Sequence, residues 1–263
     1  MCGIAGYSLG PESPVQRTLA AQALLAGIAE RGADAVGYAH RADDGAATVT
    51  KLRGGASMLL DEIAVPATAS SVLLHVRDFT KGHPEIEANN HPIRHGSVVG
   101  VHNGVLSNDD ELLERYGIER HEPAMTVDSE AIFALMELRR NDARALSQIR
   151  GTMAAGWLDE REPGTIYLAR GVARPLWIGQ APSALFFAST RRALRIVEAA
   201  LGLRLEKSQL HQGRVLETRA GRVVRKRRFR PDRRYRDAAP LSPVHSPHEA
   251  ISCLSRLAAL ATA

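Results

Sequence analysis

Cysteine stands second in the chain, in Met1-Cys2-Gly3-Ile4-Ala5-Gly6, and removal of Met1 would leave a thiol and a free amine on one residue. Unperturbed, an α-amine titrates at about 7.7–8 and a thiol at about 8.5, so the amine can take the thiol proton near neutral pH. Cys2 would then be a nucleophile carrying its own general base. The plainer alternative is an inert cysteine, since free cysteines are among the residues most often buried. Lipid attachment would need an apolar stretch ahead of the cysteine, and only Met1 precedes it. The small and apolar residues from Gly3 to Tyr7 read as a strand beginning beside Cys2, and a nucleophile on a strand start is rigidly held.

Other chemistry-bearing runs lie downstream. His75-Val76-Arg77-Asp78-Phe79-Thr80-Lys81-Gly82 follows an apolar stretch, and Asn89-Asn90-His91-Pro92 comes soon after. A second apolar run, Val98 to Val101, leads into His102-Asn103-Gly104-Val105, and Thr126-Val127-Asp128-Ser129-Glu130 opens a helical pattern.

Together with RGADAVG at Arg31 to Gly37, these runs resemble the class II glutamine amidotransferases, whose glutaminase domains are N-terminal nucleophile hydrolases. The stretches MCGIAGY, HVRDFTKG, NNHP, VHNGVLSN and TVDSEAI are similar, in order and spacing, to the glutaminase domains of amidophosphoribosyltransferase and glucosamine-6-phosphate synthase. Residues 173–179 and 187–190 extend the likeness, so that it covers residues 2–232. One Asn-Gly pair would be weak support, because such pairs are common turns; motifs in series behind an early cysteine are far more specific.

The resemblance implies an α+β fold, a four-layer αββα sandwich of two antiparallel sheets. It implies Cys2, Asn103 and Gly104 as the catalytic set, with Cys2 attacking the glutamine side-chain amide. The oxyanion so formed needs donors fixed in advance, a task for the Asn103 side chain and the Gly104 N–H. Arg77 and Thr80 would hold the substrate carboxylate, Arg77 through paired hydrogen bonds, while Asp128 and the Gly104 carbonyl region would hold its ammonium group. His91 matches the family's His-Pro pair near the pocket. Read locally, Asn103-Gly104 is also a hairpin turn, Arg77 a strand-end surface charge, and Asp128 a helix N-cap. Arg31 and Asp34 follow a helix stopped at Gly32 and are expected to orient the terminus rather than react.

Two positions depart from the family. Asp78 stands where an aromatic residue usually follows the arginine, with Phe79 next, so closure of the loop over glutamine is expected to differ. Lys81 occupies a histidine or alanine position, where it could assist carboxylate binding but is rather expected to point into water.

Composition bounds the rest. The 263 residues are 44% hydrophobic, enough for one large core. The two cysteines, Cys2 and Cys253, imply no disulfide framework and suit a reducing, cytoplasmic setting. No apolar run is long enough to span a membrane, no Cys/His spacing points to a metal, and no cofactor is expected. The net charge of +5 conceals a basic segment, Arg219 to Arg236, holding ten cations and one acid. Such a segment could track nucleic-acid phosphates; the alternative is a closing hairpin around Ala220-Gly221 with a solvated cationic face, suited to an acidic partner protein.

The elements that must position these residues read as a helix near 14–30, strands near 36–52, 71–77 and 97–102, and helices near 108–116 and 128–150. Strands near 156–159, 165–169, 176–179 and 184–189 follow, then a helix near 190–201 and the basic hairpin. Residues 233–263 read as a linker, with Ala238 to Pro243 rich in alanine and proline, and a short tail helix facing inward through Ile251, Leu254, Leu257 and Leu260. That tail is too short for the acceptor domain of either named relative, so glutamine is the expected substrate and a separate synthase subunit the expected ammonia acceptor.

Overall fold

The computed structural model describes residues 1–42, 45–237, 242 and 244–260. Apart from Ser242, the linker stretch 238–243 lies outside them, as do residues 261–263. The strands are β1 (Gly3–Leu9), β2 (Ala35–Ala42), β3 (Thr48–Arg53), β4 (Ala69–Arg77), β5 (Ile93–His95), β6 (Val98–Leu106), β7 (Gly151–Asp159), β8 (Thr165–Arg170), β9 (Trp177–Ala181), β10 (Ala184–Ala188), β11 (Glu206–Gln209), β12 (Arg214–Arg219) and β13 (Arg222–Arg228). The helices are α1 (Arg17–Ile28), α2 (Asp109–Arg115), α3 (Glu130–Leu138), α4 (Arg191–Leu201) and α5 (Pro247–Leu260).

These strands form two antiparallel sheets. The first has the order β11-β9-β10-β1-β4-β2-β3 and the second β13-β12-β8-β7-β6-β5. Strand residues point alternately to opposite faces, and that alternation sorts the apolar side chains into layers. Ile4, Leu73, Val99, Val101, Leu158, Leu168 and Phe187 meet between the sheets. Ala5, Tyr7, Leu74 and Phe186 face α1 and α4, and Val98, Ala155, Trp157 and Tyr167 face the α3 side. The result is the expected αββα sandwich. Because α1 lies between the first sheet, α4 and α5, it is buried almost all round, from Ala20 to Ile28.

The structure corrects several local expectations. The helix expected over 128–150 ends at Leu138, and Arg140 and Asn141 turn to φ 49° and 57°. There the Asn141 side chain accepts from Trp157 Nε1 at 2.9 Å and donates to Asp159 at 2.8 Å, bonds a continued helix would forfeit. Asn103-Gly104 makes no turn but sits inside β6, paired continuously with β7 from Val98 to Leu106. Asp128 does not cap α3; the N-cap is Ser129, without a side-chain bond. The inner face of α5 is Ala250, Cys253 and Leu257, whereas Ile251 is 69% exposed.

Candidate active site

Register places the nucleophile. β1 lies between β10 and β4 with Gly3 opposite Val76, which sets Cys2 beside Arg77 at the end of β4. Ile4 N–H donates to Ser189 Oγ at 2.9 Å and Ser189 N–H donates back to Ile4 O at 2.8 Å. Buried Arg31 donates from Nε to Cys2 O at 2.8 Å. Gly32 lets the turn pack directly on the end of β4, since a Cβ there would lie 2.2 Å from Arg77 O. Asp34 accepts from Phe79 N–H at 2.9 Å, so the turn after α1 fixes both the chain start and the loop beyond β4.

Cys2 borders a narrow cleft, about 240 Å3 counting its open mouth, shared with Arg77, Thr80, His91, Gly104 and Asp128. The cleft thus gathers every expected site residue but Asn103, whose place on β6 is next to Gly104. The Cys2 thiol donates to Asp78 O at 3.3 Å, and burial pushes its pKa up, opposed by that bond, the chain's own ammonium and Arg77. In this protonated state the sulfur needs a base before it can attack. The Met1 ammonium pairs with the Asp78 carboxylate.

Arg77 is buried rather than a surface charge. Its Nη1 donates to Asn90 Oδ1, and its Nη2 to Lys81 O at 2.9 Å and to Gly82 O. The residue therefore braces the loop 78–82 from below, and a guanidinium with five N–H donors keeps two for a ligand. Lys81 corrects the expectation of a free side chain: Nζ lies 2.5 Å from Asp109 and 2.8 Å from Asp110 at the start of α2. Thr80 is exposed at the loop tip and faces the cleft.

Opposite lies β6. Asn103 is 1% exposed, and its Nδ2 has no hydrogen-bond partner. A buried donor left unpaired is costly, so this one is fit for an oxygen arriving from outside. At Gly104 a Cβ would come 2.1 Å from Thr152 O and 2.5 Å from His102 Nε2, at φ 158°, which leaves glycine alone able to bring its backbone to the cleft. Asp128 is buried and accepts from Leu106 N–H at 2.7 Å. Burial pushes its pKa up to about 6 against the pull of that bond. His91 stacks on His75 at 4.1 Å with both ring nitrogens unpartnered, and burial holds it well below the usual histidine range. Among the described residues no three His, Cys, Asp or Glu side chains converge to hold a metal ion, and no helix is long and apolar enough to cross a membrane.

Sequence reasoning gave no task to two neighbours. Arg174 is 2% exposed and forms a two-bond pair with Asp237 at 2.7 and 2.8 Å; its Ala-Arg-Pro-Leu run was visible in the family likeness. His245 donates its backbone N–H to Glu30 O at 2.8 Å and sets its ring 3.3 Å from Asp78. Nothing in the proline- and serine-containing run around it signals that contact.

Comparison with known proteins matches this geometry. A family model described as "Glutamine amidotransferase domain" covers residues 76–196. The chain carries a class II glutamine amidotransferase domain. It is 32% identical over 206 residues to the glutamine–fructose-6-phosphate aminotransferase (isomerizing) of Escherichia coli strain K12, covering 74% of this chain and 32% of the relative. The enzyme of the same name from Listeria innocua is 31% identical over 205 residues, with the same two shares. The chain thus spans about a third of these relatives' length. A solved glutamine phosphoribosylpyrophosphate amidotransferase from B. subtilis superposes with a TM-score of 0.68 over 86% of this amidotransferase chain and 49% of its own, at 20% identity, a likeness that speaks to the fold alone.

Proposed function

We propose that the domain hydrolyses glutamine to glutamate and ammonia through a thioester on Cys2. With Met1 removed, the Cys2 amine takes the thiol proton and the sulfur attacks the side-chain amide carbon. The tetrahedral oxyanion receives hydrogen bonds from Asn103 Nδ2 and Gly104 N–H. Collapse breaks the carbon–nitrogen bond as the amine returns its proton to the departing nitrogen, releasing ammonia. Water activated by the same amine then cleaves the thioester, giving glutamate and restoring the thiol.

Arg77 and Thr80 bind the α-carboxylate and the Asp128 carboxylate the α-ammonium group, a pairing that selects a free amino acid over other amides. His91 shapes the apolar wall as a neutral ring. No cofactor enters this scheme, and a reducing cytoplasmic setting would preserve the thiol. Residues 2–232 would form the glutaminase unit, with 233–263 as its strap and tail. The ammonia passes to a synthase on a separate subunit.

The observation that carries this reading is the unpartnered Asn103 donor beside the cleft that holds Cys2. Intact mass of the active protein, before and after a glutamine-mimicking diazoketone, tests it. The expected result is loss of Met1, one adduct per chain on the Cys2 peptide, and no glutamate production by Cys2→Ala. Retention of Met1 in fully active protein, or turnover by Cys2→Ala, would sink the reading; co-purification from the native source tests the separate synthase.

A further inference from the structure

A groove of about 1120 Å3, counting its open mouth, lies along the side of the sandwich where β11 ends one sheet and β13 ends the other. Its floor is apolar, made by Ile178, Leu210, Leu216 and Val223. Neither edge strand has a partner on its outer side among the described residues, so each offers a row of free backbone N–H and C=O groups.

The charge on the groove is one-sided. Pairing of Arg214 with Arg228 and of Leu216 with Lys226 puts both β13 cations on the inter-sheet face with Leu216. None of Arg214, Lys226 and Arg228 has an acidic partner among the described residues, whereas Arg225 and Arg227, on the opposite face, share Glu217 at 3.8 and 3.3 Å. Glu206 is the lone acid on the groove wall. A bulge between Glu217 and Thr218 leaves Val224 unpaired and 54% exposed.

Cations on an edge strand also deter self-pairing, but that use does not call for an apolar floor left open beside them. Single-stranded nucleic acid is bound through exposed aromatic platforms as well as charge. The groove lining contains no Phe, Tyr or Trp, and Phe229, just beyond β13, is buried.

We infer that this groove docks an extended acidic segment of a partner protein, which adds a strand to β13 and turns its one groove-facing side, bearing carboxylates and apolar side chains together, toward Arg214, Lys226 and Arg228 and the floor. Backbone pairing at an edge supplies affinity and the alternate side chains supply specificity, as in strand-addition recognition. The surface uses none of the glutamine-site residues, so it stands or falls independently of the chemistry at Cys2.

The test is selection of a random dodecapeptide library on the full chain, followed by binding titrations with K226E/R228E and with a single-stranded oligonucleotide. Selected peptides are expected to be net acidic, with their acidic and apolar residues sharing one set of alternate positions, to bind the double variant at least tenfold more weakly, and to lose affinity with added salt. Unchanged glutamine turnover in K226E/R228E confirms that the variant is folded. Absence of enrichment, enrichment of neutral or basic peptides, equal binding by the variant, or tighter binding of the oligonucleotide would each overturn the assignment.

Discussion

The His245 ring lies 3.3 Å from the Asp78 carboxylate, which links the segment entering α5 to the residue whose main-chain oxygen accepts the hydrogen bond of the Cys2 thiol. Any drift of Asp78 is therefore felt at the sulfur. The pair is partly exposed, and such pairs are worth roughly 0.2–1 kcal/mol. His245→Ala should accordingly lower kcat/KM for glutamine by about two- to fivefold. Steady-state kinetics at low salt check this. Equal values at low salt would remove His245 from any part in placing the loop.

Asn103 offers a cleaner test of the oxyanion reading. Removal of one such donor typically costs about 2.7–4 kcal/mol of barrier, or roughly a hundred- to thousandfold in kcat. Asn103→Ala should show that loss with little change in KM, because the bond is made in the transition state rather than to bound glutamine. The variant should also be at least as stable as wild type, since it deletes an unpaired buried donor. A rise in KM at constant kcat would assign Asn103 to ground-state binding instead.

What the sequence disclosed and what it hid follow one division. Near-continuous apolar runs such as β4 and β10 were legible because both their faces are buried. β11, Glu206-Lys207-Ser208-Gln209, carries no such signal, and its strand state comes from hydrogen bonds to β9. The cleft residues were legible through motif order, but local pattern misread their setting. Asn103-Gly104 looks like a turn, yet β7 pairs along its whole length. Asp128 looks like a cap, yet it turns toward Leu106 of β6. Lys81 looks like a solvated loop residue, and only folding brings it to Asp109 and Asp110.

That last contact makes the loop a latch. Lys81 is the side-chain tie between loop 78–82 and the start of α2, and Asp109, 5% exposed on its side chain, keeps Arg120 at 3.5 Å if Lys81 is lost. Because a charged partner remains, Lys81→Gln should fold. It should raise the KM for glutamine by about two- to fivefold, within the range for partly exposed ion pairs, and leave kcat near wild type. Lys81→Arg should restore most of the loss. A fall in kcat at constant KM would count against a latch and point instead to a role in the chemical step.

Asp128 makes the activity pH-dependent in a direction set by its environment. Burial raises its carboxyl from the ordinary 3.8 to about 6, so the unliganded protein holds it neutral below that pH. A neutral carboxyl offers no charge to the glutamine ammonium group, and kcat/KM should therefore fall as pH drops through about 6, a limb that Asp128→Asn should lack. Stability responds oppositely. Between 3.8 and about 6 the folded state binds the proton that the unfolded state has released, so this residue's contribution declines as pH rises through that window and the full cost of the buried charge is present above it. Asp128→Asn, which can still accept from Leu106 N–H, should then be more stable than wild type at pH 7.5, by up to about 3 kcal/mol, while binding glutamine far more weakly. Thermal unfolding and glutamine kinetics from pH 5 to 8 measure both. A variant that is less stable at pH 7.5, or a wild-type profile flat through pH 6, would show that the Asp128 carboxylate is already compensated in the free protein.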